Sequence, residues 1–130
     1  KPPADTKQFG GHSYKLILQE ATWEDAKKAC EQLGGHLATS TTEEENAFLY
    51  SLFAELSEDQ MFAVWIGGSK NDNGSWSWVT GEEFKFTDWS TLSKPKPGQR
   101  GTAMFQDHSQ HSWRESTRQS THPYICEWNN

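Results

Sequence analysis

The stretch HSYKLILQ, residues 12–19, alternates along its length and places Tyr14, Leu16 and Leu18 on one face of an extended strand. From Thr22 the period changes. In TWEDAKKACEQLGG, Trp23, Ala26, Cys30 and Leu33 recur at helical spacing; Thr22 is the expected N-cap with Asp25 in the capping position, and Gly34-Gly35 stops the helix. A second helix is predicted in TTEEENAFLYSLFAEL, where Thr42 caps and Glu45 completes a capping box. Its buried face is Phe48, Leu49, Leu52, Phe53 and Leu56. From residue 62 helical periodicity ends. FAVWIG, WSWV, TAMFQ and YICEW are short aromatic or β-branched runs separated by Gly, Asn, Pro and Ser, as strands are. A strand, two helices and then strands predict an α+β domain.

Two segments stand outside this pattern. The leading KPPADTK reads as a linker, which places a linker at residues 1–9 and one domain at residues 10–130. Residues 81–101, GEEFKFTDWSTLSKPKPGQRG, have little periodicity, and aperiodic stretches of that size inside a domain commonly carry function. Phe84, Phe86 and Trp89 would anchor this stretch as an ordered binding loop.

Composition narrows the field. A chain of 130 residues fits one domain, and seven Trp, seven Phe and three Tyr build its core from a few large rings. The net charge of −6 argues against a nucleic-acid partner. No apolar run approaches the ~18 residues that span a bilayer, so membrane insertion by this domain is not expected. The charge is uneven, however. Residues 89–118 hold Lys94, Lys96, Arg100, Arg114 and Arg118 against Asp107 and Glu115 only. Such a basic segment in an acidic domain can attract anions; the simpler reading is that it solubilises a long loop.

Cys30 and Cys126 lie near opposite ends of the chain. Bridged, they would stabilise the fold by about 4–5 kcal/mol on chain-entropy grounds and imply an oxidising compartment: extracellular, cell-surface or periplasmic. Unbridged, they would be two buried thiols. Of five histidines only His108 and His111 are close, beside Asp107, and that spacing is no dependable chelate. There is no Gly-x-Ser-x-Gly elbow, phosphate loop or dinucleotide fingerprint. The acids Glu43 to Glu45 suit a helix N-terminus without any catalytic role, and Glu82-Glu83 is a second acidic pair. Nothing in the sequence argues for an enzyme.

In order, TWEDAKKACEQLGGHLATSTTEEENAFL, VWIGG, GSWSWVTGEEFKFTDW and HPYICEW resemble a C-type lectin-like domain over about residues 10 to 128. The resemblance implies a double-loop fold of two helices and two small antiparallel sheets. It implies that Cys30 and Cys126 form the family's universal disulfide and that Trp65, Ile66 and Gly67 are core. The positions of the family's second disulfide fall on Ala103 and Arg118, a coherent loss of both partners. The long loop must then be held by packing, with Trp89, Met104 and Phe105 as expected anchors. A single disulfide and the GGHLATSTTEEENAF stretch resemble prokaryotic surface-protein versions of the domain.

The metal ligands of sugar-binding members depart as well. Where that family carries its calcium-binding tripeptide, this chain reads Lys94-Pro95-Lys96, or Lys96-Pro97-Gly98 in a shifted alignment. The further carboxylate falls near Gly101, and the Asn-Asp pair becomes Arg114-Glu115. Calcium needs several oxygen ligands, and only Glu115 could supply one. The neighbouring position has Ser69 and Asn73, with Asp72 alone, a composition explained by a turn. An auxiliary calcium site of some members would use Glu45, Glu127 and the Thr39 carbonyl, and both acids are retained.

The expected function is therefore a non-enzymatic extracellular recognition module, calcium-independent at the usual sugar site. Lys94, Lys96, Arg100, Trp113, Arg114 and Glu115 would bind an anionic glycan or an acidic protein surface, with Arg offering bidentate contacts and Trp113 a stacking face. The alternative is a structural or protein-interaction domain of a larger surface protein with no small ligand, in which Arg114 and Glu115 form local ion pairs. A third, an enzyme of the formylglycine-generating class, needs reactive cysteines, and both cysteines are accounted for structurally.

Overall fold

The computed structural model describes residues 5–52, 63–70, 75–89, 102–107, 112–117 and 119–129. In chain order they form β1 (Lys7–Phe9), β2 (His12–Ala21), α1 (Trp23–Gln32), β3 (His36–Leu37), α2 (Glu43–Ser51), β4 (Ala63–Lys70), β5 (Trp76–Trp78), β6 (Thr102–Asp107), β7 (Ser112–Thr117) and β8 (His122–Asn129). The α+β expectation holds.

The strands run β1-β2-β8-β4-β6-β7, with β3 added on β8 and β5 on β4. Two antiparallel halves are thus present, but as parts of one sheet. A single parallel register pair, Trp65 with Tyr124, joins them. The chain can make this joint because β4, the Val-Trp-Ile-Gly strand, is buried along almost its whole length. Residues 7–9, placed by the sequence in the leading linker, pair with β2 from Lys7–Tyr14 to Phe9–His12. Phe9 also stacks on Phe48 of α2 at 4.8 Å.

Both helix starts form as the capping residues dictate. Thr22 Oγ1 accepts from the Asp25 amide at 3.3 Å, and Thr42 Oγ1 from the Glu45 amide at 3.0 Å. The return half of the second box slips by one residue, since Glu45 Oε1 accepts from the Thr41 amide at 2.9 Å. Trp23, Ala26 and Cys30 are buried as expected, but Leu33 sits past the end of α1 as its C-cap and stays 45% exposed. Leu18 is likewise 47% exposed, because the β2–β8 pairing loses register between Ile17 and Ala21. On α2, Leu49 is buried and Phe48 is partly so; Leu52 closes the helix, while Phe53 and Leu56 lie outside the described residues.

Two clusters make the core. Around the Cys30–Cys126 disulfide (Cα atoms 5.4 Å apart) pack Trp23, Leu37, Trp65, Tyr124 and Trp128. The other gathers Tyr14, Leu49, Val64, Ile66, Trp78 and Trp113. Large rings fill the interior only if their N–H groups find acceptors. Trp23, Trp65 and Trp128 do so on the backbone carbonyls of Ile66, Ala21 and Leu33, at 2.9, 2.9 and 3.0 Å. Gly67 lets the β3–α2 connection approach β4. Its amide donates to Ala38 O at 2.7 Å, and a Cβ there would lie 2.9 Å from Leu37 O and from Val79 Cγ2. The Trp65, Ile66 and Gly67 motif is core.

Candidate functional site

Trp113 organises the base of the long loop. Its side chain is fully buried. Around the indole stand Trp78 at 5.5 Å, Phe86 and Trp89 at 5.7 Å, and Phe84 at 6.3 Å between ring centroids. Most of these contacts are edge-to-face, the arrangement that the ring quadrupoles favour. Phe84, Phe86 and Trp89 therefore anchor the aperiodic segment, as its sequence implies. Met104 and Phe105, the other expected anchors, belong to β6, and their side chains fall outside the description.

Polar contacts complete the anchor. Trp113 Nε1 donates to Asn46 Oδ1 at 3.0 Å, and the Trp113 amide donates to Asp88 O at 2.6 Å. Asn46 Nδ2 then donates to Asp88 Oδ2 at 2.8 Å, and Tyr50 OH reaches the same oxygen at 3.4 Å. One side-chain amide thus ties α2 to β7 and to the entry of the loop. The sequence reading missed Asn46 and Asp88. The available signal was Asn46 falling between apolar positions of α2, where an amide persists only when it is paired.

This geometry corrects one expected ligand residue. A side chain with no exposed surface cannot stack on a ligand, so Trp113 is an element of the core and not a recognition platform. Arg114 follows on β7 and, by strand alternation, points to the opposite side; it is half-buried, with its Cα opposite Phe105. Glu115 is the next strand residue, with its Cα opposite Met104. Lys94, Lys96 and Arg100 lie outside the described residues, as do His108, His111, Asp72 and Asn73. Of the neighbouring calcium position, Ser69 is in β4, and beside it Lys70 is buried with its ammonium 5.7 Å from the Trp76 ring centroid. That strand end carries a fixed cation.

A second polar centre lies where β2, β8, the β3–α2 connection and the start of the 81–89 segment meet. Glu127 is almost wholly buried, with Oε1 accepting from the Thr39 amide at 3.0 Å and Oε2 standing 3.0 Å from His12 Nδ1. Glu45 accepts from the Thr41 amide and from the Tyr14 hydroxyl. Glu82 Oε1 accepts from the hydroxyls of Thr39 at 2.7 Å and Thr80 at 2.6 Å. Burial pushes the Glu127 carboxyl up to about 8, the Thr39 amide pulls it down, and the negative charges of Glu45 and Glu82 raise it further. Burial also raises the Tyr14 phenol, helped by its bond to Glu45.

These acids are the expected ligands of an auxiliary calcium, and their surroundings test that expectation. Thr39 presents its N–H, not its carbonyl, to Glu127, and protein donors engage both Glu45 oxygens. Among the described residues no group of three or more His, Cys, Asp and Glu side chains converges closely enough to hold a metal ion. As arranged here, the residues do not fit calcium.

Comparison with known proteins bears on the whole chain. A family model, the lectin C-type domain, matches residues 19–128. One of the two polypeptides of the Snaclec coagulation factor IX/factor X-binding protein of Echis carinatus is 35% identical over 85 residues, which cover 63% of this chain and 66% of that polypeptide. The crystal structure of human lithostathine superposes with a TM-score of 0.89 at 25% identity, covering 100% of this chain and 92% of that one. A complex of SPL-1 with GlcNAc superposes with a TM-score of 0.84 at 25% identity, covering 98% and 95%. The named source organisms, Echis carinatus and human, are animals, whereas the single-disulfide pattern resembles prokaryotic versions.

Proposed function

The chain belongs to the lectin C-type domain family, and we propose that it is a non-enzymatic extracellular binding module whose long-loop face takes anionic groups without calcium. The observation that carries this is the replacement of the calcium-binding positions by cations. Lys94 and Lys96 stand at the tripeptide, and Arg114 stands at the first residue of the Asn-Asp pair. Cations there repel a metal and attract carboxylate, sulfate or phosphate. Lys70, held under Trp76, adds positive charge at the strand end beside the neighbouring calcium position.

Burial of Trp113 bears on the ligand class. Without an aromatic platform among the expected contact residues, recognition rests on charge and on bidentate Arg bonds, which suits an acidic protein surface or a sulfated or carboxylated glycan. A protein ligand has a parallel in the relative named as a coagulation factor IX/factor X-binding protein, and a sugar ligand in SPL-1, solved with GlcNAc. The disulfide Cys30–Cys126 supports an oxidising, extracellular setting, and among the described residues no helix is long and apolar enough to cross a membrane. A domain with no small ligand at all is the second reading, favoured by the engagement of Trp113 in the core.

The test is a screen of glycans and acidic proteins run with and without chelator, at low and moderate salt. The expected result is binding of acidic ligands that ignores the chelator and weakens as salt rises. Binding abolished by chelator, or indifferent to salt, overturns the proposal.

A further inference from the structure

A cleft of about 490 Å³ opens between α2 and the segment at residues 86–88, within the size range of small-ligand sites. One wall is a helical stripe at spacing i, i+3, i+4, i+7: Glu43, Asn46, Ala47 and Tyr50. The facing wall is Phe86 to Asp88. Ala47 is exposed, and its short side chain leaves the space open.

We propose that this cleft binds a cationic group, an alkylammonium or guanidinium, carried by a protein side chain or by an amino sugar. The charged lining residues, Glu43 and Asp88, are both acidic, and neither forms an ion pair among the described residues. Asp88 is aimed by the neutral donors Asn46 and Tyr50, which orient its carboxylate without cancelling its charge. The Tyr50 and Phe86 rings add faces that attract a cation. Phe86 is held edge-on to Trp113 at 5.7 Å, so this wall is fixed before any ligand arrives. Two carboxylates also repel anions, so the cleft selects a charge opposite to that of the long-loop face and stands or falls independently of it.

The experiment titrates the whole ¹⁵N-labelled domain with L-arginine amide, D-glucosamine or neutral N-acetylglucosamine at low salt. Amide shifts are expected at Asn46, Ala47, Thr87 and Asp88 with a cationic probe, and none there with N-acetylglucosamine. Arginine amide alone identifies a protein side chain as the ligand, glucosamine alone an amino sugar, and a response to both shows that the charge itself is read. Glu43→Gln should weaken binding about threefold to fivefold, the scale of one partly exposed charge pair. Ala47→Leu, which fills the cleft and changes no charge, should abolish it. Neither residue belongs to the Trp113–Asn46–Asp88 anchor, so both variants should keep the parent spectrum elsewhere. Absence of shifts with both cations, an equal response to N-acetylglucosamine, or full binding in Ala47→Leu overturns the proposal.

Discussion

The indole N–H of Trp113 on β7 donates to the side-chain oxygen of Asn46 on α2 at 3.0 Å, across 67 residues of sequence. Breaking it orphans a buried donor, and the same amide also holds Asp88. Asn46→Ala should therefore cost about 2–4 kcal/mol, two lost bonds and their unsatisfied partners. Urea unfolding monitored by tryptophan fluorescence measures this; a change under ~0.5 kcal/mol would show that the bond contributes nothing.

Trp113 itself separates packing from recognition. Trp113→Ala should lose about 3–5 kcal/mol, as large-to-small changes of buried aromatics do. Trp113→Phe keeps most of the ring contacts, so it should lose less stability and bind acidic ligands like the parent. A Trp113→Phe protein that folds well yet binds at least tenfold more weakly would restore a direct contact for the indole.

For the recognition face, charge reversal at Arg114 or Lys94 is the direct probe. Arg114→Glu and Lys94→Glu should each weaken binding of an acidic ligand, most at low ionic strength, with the difference shrinking as salt screens the field. Surface plasmon resonance at several salt concentrations reads this. Equal affinities for parent and variants would remove both residues from the site.

Stability should depend on pH through Glu127. Its folded carboxyl is raised to about 8 from an ordinary value of 4.5. Between those values the unfolded chain releases a proton that the folded chain keeps, so each step up in pH favours unfolding. The stabilisation is complete below about 4.5 and lost as pH passes about 8. With chelator present, the melting temperature should fall from about pH 5 to about pH 8, and Glu127→Gln should flatten that slope. A variant with the parent's slope would assign the dependence to other groups.

The disulfide gives the simplest prediction. Replacing both Cys30 and Cys126 by Ala should cost about 4–5 kcal/mol on the loop-closure estimate for so long a separation. Thermal melts with and without reductant check it; near-identical melting temperatures would mean that packing around Trp23 and Trp128 suffices.

The local rules were legible wherever one residue decides one structure. Thr22 and Thr42 cap because a hydroxyl before a helix has an obvious task, and Phe84, Phe86 and Trp89 anchor because rings in an aperiodic loop need cover. Trp113 was misread for a physical reason. Its sequence neighbours are polar, and nothing in them shows that four rings from distant segments close over it. The same holds for Glu127, whose acidic companions Glu45 and Glu82 come from elsewhere in the chain and meet it only in three dimensions. Leu18 and Leu33 failed in the opposite sense: periodicity continued past the point where pairing or helix ended.

The pairing of His12 with Asn129 at one end of the β2–β8 ladder brings the two ends of the fold side by side. Pulled apart, those ends would open the ladder one rung at a time, through Ser13–Trp128 and Tyr14–Glu127, until Lys15–Cys126. At Cys126 the load leaves the backbone and crosses the sulfurs to Cys30 in α1. Tension then runs along a covalent shortcut, and residues 31–125, with the loop face and the α2 cleft among them, carry none of it. A single bond makes the domain mechanically a short tether with its recognition surfaces hung off the line of force.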